Sequence, residues 1–221
     1  MVKKYILEFI GTLVLVLFGT GIAVLSNANL VATSLAFGLS IVSMAYVIGP
    51  ISGCHVNPAV SLAMYLKKKL TLKEFLYYVL AQVLGALAGT GLLYLILNGT
   101  VVGTSALGAN GFKELSSTGI SLVGALIVEI VLTFVFIYTI LGVTSDEKNS
   151  SVSGIVIGLT LAFVHLLGIR LTGTSVNPAR SLAPAIFTGG KALEQVWLFI
   201  LAPMVGSLLA SLTHKYLNKG D

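Results

Sequence analysis

Two copies of the tripeptide Asn-Pro-Ala, at 57–59 and 177–179, carry the most informative chemistry in this sequence. Asparagine is a favoured helix N-cap, and proline suits the first turn of a helix. Each motif therefore predicts a loop that turns abruptly into a short helix. The two asparagine amides supply hydrogen-bond donors, and each helix N-terminus adds about half a positive charge. The motif residues are Asn57, Pro58, Ala59, Asn177, Pro178 and Ala179.

The two motifs belong to a longer internal repeat. When the chain is shifted by 120 positions, residues 52–63 fall on residues 172–183, and eight of these twelve positions are identical. A shift of 121 places Glu8 on Glu129. One tripeptide alone would be a common turn, but two copies in matching contexts indicate a duplication. The chain is predicted to be one domain, residues 1–221. Its first repeat covers about residues 1–100 and its second about residues 119–221, with an extracellular connecting loop at 98–118.

The composition places this duplicated chain in a membrane. Its 221 residues have a mean hydropathy of +1.00 and only 10% are charged, whereas an ordinary soluble domain carries about 25%. A soluble globular enzyme is therefore excluded. In a membrane protein, the distribution of the net charge of +5 indicates which side of the membrane each loop occupies. The charge is not taken to indicate nucleic-acid binding. A single cysteine excludes an intrachain disulfide and a cysteine-based metal site.

Six apolar stretches are long enough, or nearly so, to cross a bilayer as helices. They are Tyr5–Leu25, Leu30–Ile48, Phe75–Leu97, Ile120–Val143, Val152–Ile169 and Leu193–Leu212. Two further apolar pieces, Val56–Leu66 and Val176–Phe187, are too short to cross. Each repeat thus holds three spans and one short piece, and because three is odd the second repeat enters the membrane from the opposite side. The predicted fold is an all-α integral membrane protein with six transmembrane helices and two re-entrant half-helices in an inverted 3+3 repeat.

Lysine and arginine predict the orientation, because positive charge accumulates on the cytoplasmic side. With the N-terminus inside, nine basic residues fall on the inner face and four on the outer side. The inner nine are Lys3, Lys4, Lys67, Lys68, Lys69, Lys73, Lys148, Lys215 and Lys219, and the outer four are Lys113, Arg170, Arg180 and Lys191. Both termini are therefore expected in the cytoplasm, with the chain in the cell membrane.

The segments before the half-helices are predicted to be extended and to leave carbonyl groups unpaired. Irregular backbone at membrane depth is tolerated only inside protein or along a watery cavity. Glu8 and Glu129 are expected to accept hydrogen bonds from the N–H groups of these loops. The inverted half-helices would meet N-terminus to N-terminus, which predicts a pore with a positive centre. The expected pore-lining loop residues are Gly53, Cys54, His55, Val56, Gly173, Ser175 and Val176. For His55, at the inner mouth, pore lining and packing both stay open.

The sequence resembles the aquaporin and aquaglyceroporin family over essentially its whole length. The residues that carry the resemblance are Ser52-Gly53-x-His55-x-Asn57-Pro58-Ala59-Val60 and Ser175-Val176-Asn177-Pro178-Ala179-Arg180-Ser181. The resemblance implies a homotetramer with one pore per subunit that conducts water passively in single file.

The resemblance also implies a selectivity filter of four residues: Phe37, His165, Thr174 and Arg180. Arg180 would repel cations, His165 would narrow the passage, Phe37 would form a bulky wall, and Thr174 would leave its backbone carbonyl as an acceptor. Glycerol-conducting relatives usually have a smaller or apolar group at the histidine position and an aspartate after the arginine. This chain has His165 and Ser181 there, which favours the water-selective branch. Without the resemblance, a hydrogen-bonded core histidine is the favoured interpretation of His165.

Three alternatives to a water channel stay open. The nearest is a channel for glycerol, ammonia or another small neutral solute. An inverted-repeat secondary transporter would need ion-coupling groups, but the span interiors offer only Glu8 and Glu129. An intramembrane enzyme would need a catalytic pair such as two aspartates, and no span contains aspartate. The expected partners are water, the lipid bilayer and other copies of the chain, with no enzyme activity, cofactor, metal or nucleic acid.

Overall fold

Six long apolar helices and two short ones build the structure, a computed structural model that describes residues 2–218. The long helices are α1 Val2–Leu25, α2 Leu30–Ser52, α4 Leu72–Leu97, α5 Leu122–Val143, α6 Ser150–Thr172 and α8 Gly190–Leu217. The short helices are α3 Pro58–Leu66 and α7 Pro178–Thr188. The described residues contain no strand. Lys219, one of the lysines assigned above to the inner face, lies outside the described residues.

All six long helices are long and apolar enough to cross a membrane, as the sequence predicts. Several of them extend beyond the predicted apolar stretches. The sixth begins at Gly190 and ends at Leu217, whereas its apolar stretch covers only Leu193–Leu212. An apolar stretch marks the part of a helix that lies in hydrocarbon. The helix itself continues to the next capping residue.

The two half-helices begin and end where local chemistry predicts. Asn57 and Asn177 have extended backbone at the N-cap, and the following proline occupies the first turn. Helix α7 continues through Pro184 to Thr188, so this proline does not end the helix. The capping Gly189 has a φ of 70°, a value that glycine adopts without steric cost.

Small residues let the helices approach closely, both within each repeat and between the repeats. Gly38 on α2 and Gly158 on α6 are repeat mates, and a Cβ atom on either would lie 2.6 Å from the carbonyl oxygen of the other. Gly85 on α4 abuts the carbonyl of Phe9 on α1 in the same way. Close backbone packing of this kind is a common device in membrane helix bundles. Together with the re-entrant α3 and α7, it gives the inverted 3+3 repeat.

Side-chain contacts bring several helix ends to one face of the bundle. Lys4 near the start of α1 pairs with Glu74 near the start of α4. Ser145, just after α5, lies 3.2 Å from the His214 ring near the end of α8. Lys67, in the loop after α3, shares a cavity with His214. We call this side, which carries Lys3, Lys4, Lys67, Lys68, Lys69, Lys73, Lys148 and Lys215, the lysine-rich face.

Candidate functional site

Reciprocal hydrogen bonds join the N-termini of the two half-helices inside the bundle. The Asn57 Nδ2 donates to the carbonyl oxygen of Val176 over 2.8 Å, and the Asn177 Nδ2 donates to the carbonyl oxygen of Val56 over 2.9 Å. Each Oδ1 meanwhile accepts the N–H of the alanine two residues later, which caps its own helix. An amide nitrogen carries two hydrogens, so each asparagine retains one N–H for a further acceptor.

Two buried carboxylates hold the loops that lead into the half-helices. Glu8 accepts hydrogen bonds from the backbone N–H groups of His55 and Val56 over 2.9 and 2.6 Å. Glu129 accepts the corresponding bonds from Ser175 and Val176 over 2.9 and 3.0 Å. Both glutamates are fully buried. The sequence-predicted supporting residues therefore lie within hydrogen-bonding distance of the loops expected to need them.

The loop backbone differs from the extended form expected from the sequence. Cys54, Val56, Thr174 and Val176 all have φ between 43° and 50°, in the left-handed region. This conformation is costly for residues with a Cβ atom, and most of all for β-branched ones. The reason for the difference is that a bent loop turns successive N–H groups toward one carboxylate. The hydrogen bonds to Glu8 and Glu129 hold the strained conformation in place.

The bent loops leave carbonyl oxygens free to face a polar permeant. Within residues 2–218, the carbonyl oxygens of Cys54, His55, Thr174 and Ser175 accept no hydrogen bond. Buried carbonyls without partners are costly unless water or another donor reaches them. These four groups therefore indicate a hydrated path that runs along both loops.

A narrow cavity lies beside the paired asparagines. The space that the centre of a water molecule can occupy in it is about 10 Å³. This is close to the minimum that one water molecule needs. The lining includes Asn57, Asn177, Phe37, His165 and Arg180. The structure thus brings both Asn-Pro-Ala motifs and three of the four predicted filter residues to one passage.

Two stacked rings and a guanidinium group lie together in the lining of this cavity. The rings of Phe37 and His165 stack with centroids 4.3 Å apart, and the guanidinium carbon of Arg180 lies 4.9 Å from the Phe37 centroid. The His165 Nδ1 lies 2.8 Å from the carbonyl oxygen of Leu161. A carbonyl only accepts, so Nδ1 carries the proton and the Nε2 of the neutral ring is left as an acceptor. This buried Nε2 has no partner among the described residues, which suits a permeant that donates a hydrogen bond.

Arg180 is anchored by the long connecting loop. Its Nη1 donates to the carbonyl oxygen of Gly108 over 2.9 Å and to the Asn110 Oδ1 over 2.7 Å. The guanidinium is almost fully buried, and no carboxylate of the described residues forms an ion pair with it. Its positive charge is therefore fixed in place without a direct carboxylate partner among the described residues.

Asn110 and Gly108 were missed by the sequence analysis. Asn110 also accepts a hydrogen bond from Ser181 over 2.8 Å and donates to the Thr172 carbonyl, so it links the loop to α6 and α7. The loop at 98–118 has no counterpart in the internal repeat, and no signal in the single sequence distinguishes Asn110 from other loop asparagines.

Thr174 and Cys54, which occupy equivalent positions in the two repeats, differ in how far their side chains are exposed. The Thr174 side chain is completely buried against Gly168 of α6, so only its backbone is available to the passage. Cys54 is partly exposed and lines a wider cavity of about 210 Å³ on the lysine-rich side. His55 borders both this cavity and the narrow one, and its Nδ1 lies 3.1 Å from the Ser61 hydroxyl.

A membrane helix bundle with two half-helices that meet around a narrow polar cavity defines a channel-like class of protein. The comparisons with known proteins identify the family within that class. The Major intrinsic protein family model matches residues 1–214, and the chain therefore belongs to this family. Its members are channels and not enzymes.

Curated relatives resemble the chain over nearly its whole length. Aquaporin Z of Rhodopseudomonas palustris is 43% identical, with 98% of this chain and 93% of the relative covered. Aquaporin Z of Bradyrhizobium diazoefficiens is 41% identical, with 98% and 94% covered. The Glycerol uptake facilitator protein-like 6 of Lactiplantibacillus plantarum is 40% identical, with 99% and 100% covered.

A solved structure shows the same fold. The X-ray structure of the aquaglyceroporin from Plasmodium falciparum has a TM-score of 0.86 and 26% sequence identity. The match covers 99% of this chain and 97% of that one. The fold is therefore that of a multi-pass membrane channel of the major intrinsic protein family.

The anchoring of Arg180 generates a stability prediction. Replacing Asn110 by alanine removes an acceptor from a buried cation, and a hydrogen bond to a charged group is worth about 1.5–3 kcal/mol. We expect Asn110→Ala to lower the free energy of unfolding by about this amount, measured by denaturant titration of the purified protein in detergent. Asn98→Ala, an exposed change in the same loop, is the matched control and should have little effect. Equal stabilities for the two variants would contradict the anchoring role.

Proposed function

We propose that the chain is a passive water channel that conducts water in single file and excludes protons and ions. The observation that carries the proposal is the narrow cavity beside the paired asparagines. Its volume is close to the minimum that one water molecule needs. It offers donors from both asparagines and acceptors from the loop carbonyls. These groups replace the hydrogen bonds that water loses when it leaves bulk solution. No bond is made or broken, so no catalytic group is needed.

Proton exclusion follows from the geometry of the two asparagines. The free N–H groups of Asn57 and Asn177 both donate to the oxygen of a water molecule between them. The hydrogens of that water then point away from the centre in both directions, and a proton cannot pass along an unbroken chain of water molecules. The two helix N-termini and Arg180 raise the energy of any cation at the same depth.

The filter supports water over larger solutes. Phe37 and His165 stack face to face beside Arg180, which leaves little width and several polar contacts. A water molecule can accept from Arg180 and donate to the His165 Nε2. The carbon skeleton of glycerol would need apolar space at this point, and the stacked rings and the guanidinium leave little of it.

A second candidate function is conduction of glycerol or another small neutral solute. The relative from Lactiplantibacillus plantarum carries the name glycerol uptake facilitator, and the solved structure with the same fold is titled an aquaglyceroporin. The identities to that relative and to the aquaporin Z proteins are similar, so similarity alone does not separate the two functions.

The basic residues also indicate how the channel is oriented in the cell. The channel is one domain with its lysine-rich face and both termini in the cytoplasm, because positive charge accumulates on that side. The bundle sits in the cell membrane as a homotetramer with one pore in each subunit. Apolar side chains exposed along the long helices are available both for lipid and for neighbouring subunits.

Osmotic measurements separate the two candidate functions. We expect vesicles that contain the purified protein to shrink several-fold faster than protein-free vesicles in an impermeant osmolyte, by stopped-flow light scattering. In a glycerol gradient the same vesicles should re-swell at the protein-free rate. Fast re-swelling in glycerol would favour the second candidate, and slow shrinkage in both tests would contradict a water channel.

The fixed charge of Arg180 generates a prediction on selectivity. Two unit charges about 4 Å apart repel by about 4 kcal/mol at an effective dielectric constant of about 20. Removing the charge in Arg180→Val should therefore raise proton or cation leakage by about a hundredfold or more, while water still passes. Leakage is measured with a pH-sensitive dye inside the vesicles. Arg170→Val removes the chain's other arginine, which is exposed. This control variant should leak protons no faster than the unmodified channel. An equally tight Arg180→Val channel would contradict the role of Arg180.

The single cysteine provides a chemical test of the passage. Cys54 lines the wider cavity on the lysine-rich side, so a mercurial on its Sγ should obstruct the path. We expect a membrane-permeable mercurial to abolish most of the protein-dependent water flux, and Cys54→Ser to be insensitive. Unchanged flux in protein whose Cys54 is fully labelled, as confirmed by mass spectrometry, would place this residue outside the path.

A further inference from the structure

A separate cavity opens on the lysine-rich face, between the end of α3 and the last turns of α8. Its volume is about 480 Å³, and Lys67, Lys68 and Lys215 all line it. None of the described residues that line it carries a carboxylate. Helices α3 and α8 both end here, and their C-termini contribute about half a negative charge each. Three ammonium groups exceed that charge, so the cavity is positive.

A buried hydroxyl in this cavity has no hydrogen-bond partner. Ser211 on α8 is 6% exposed, and its Oγ bonds to no group of the described residues. The other buried serine of α8, Ser207, donates its hydroxyl hydrogen to the carbonyl oxygen of Ala59 over 2.6 Å. A buried polar atom without a partner is costly, and it marks a place where a ligand or water belongs. Ser211 lines the cavity, and rotation of its side chain to another staggered rotamer would bring this unpartnered hydroxyl to an acceptor there.

The chemistry of the lining suits a phosphate group. A phosphate offers several acceptor oxygens and negative charge, and lysine binds it as a compact point charge. Burial and the nearby Lys69 lower the pKa of Lys67 below its usual value. A bound anion would counter both effects, because it favours the charged form of the lysine.

The position of the cavity indicates which phosphate it holds. Leu66 and Leu212 complete the lining next to the lysines, and their side chains are 39% and 54% exposed. A soluble phosphate gains nothing from exposed leucines, whereas the first carbons of an acyl chain pack against them. Polar and apolar surface meet here at the end of a transmembrane helix, which is the depth of lipid headgroups. We propose that this cavity binds the phosphate of an anionic phospholipid, with Lys67, Lys68, Lys215 and the Ser211 hydroxyl as its ligands.

Lipid binding to the purified full-length protein in detergent tests the proposal without any flux measurement, so its outcome is independent of the solute that the channel conducts. Native mass spectrometry would compare phosphatidylglycerol with phosphatidylcholine of the same acyl chains. Near an anionic lipid each lysine contributes about fivefold in affinity. We therefore expect Lys67→Gln/Lys215→Gln to bind phosphatidylglycerol about twenty- to thirtyfold more weakly than the unmodified chain. Lys3→Gln/Lys148→Gln removes two exposed lysines from the same face and should bind as the unmodified chain does.

Two further arms make the result decisive. Ser211→Ala should weaken phosphatidylglycerol binding without lowering the unfolding temperature of the lipid-free protein, since alanine is a good helix former. If Lys67→Gln/Lys215→Gln bound phosphatidylglycerol as tightly as the unmodified chain, the proposed site would be wrong. An equal loss of affinity in Lys3→Gln/Lys148→Gln would also overturn it. Stabilisation by millimolar inorganic phosphate equal to that by phosphatidylglycerol would overturn the lipid assignment and leave a soluble anion as the ligand.

Discussion

The structure depends on the need to satisfy backbone polar groups in the middle of a membrane. Two half-helices begin at the centre of the bundle. Each N-terminus there has free N–H groups that lipid cannot pair. The Oδ1 atoms of Asn57 and Asn177 accept N–H groups at the start of their own helices. Their Nδ2 groups donate to the carbonyl oxygens of Val176 and Val56 in the opposite loops. Because each asparagine caps its own helix and donates to the opposite loop, the two repeats are held together at the point where the passage is narrow.

The same constraint explains the few charges kept at membrane depth. Glu8 and Glu129 each gather N–H groups from a strained loop, and in doing so they direct the loop carbonyls away from themselves. Arg180 has no carboxylate partner among the described residues and is held by neutral acceptors of the connecting loop. A fixed cation without a direct ion-pair partner repels other cations, whereas an ion pair at the same place would have little effect on them.

Much of this architecture could be predicted from the sequence, because the internal repeat constrains it strongly. Three spans per repeat require inversion, and the spacing of Glu8 and Glu129 matches that of the loops they hold. The left-handed backbone of Val56 and Val176 could not be predicted, since it arises from bonds to a carboxylate far away in the chain. Nor could the contact between Asn110 and Arg180, because it depends on how an unrepeated loop folds back over the bundle.

The central claim is that one passage conducts water while its paired asparagines and fixed charge stop protons. The most direct measurement follows both fluxes in the same vesicles, water by light scattering and protons by an entrapped pH-sensitive dye, as the amount of protein per vesicle is raised. The account predicts that water permeability rises in proportion to protein while proton permeability stays at the level of protein-free vesicles. A proton flux that rises in step with the water flux would contradict it.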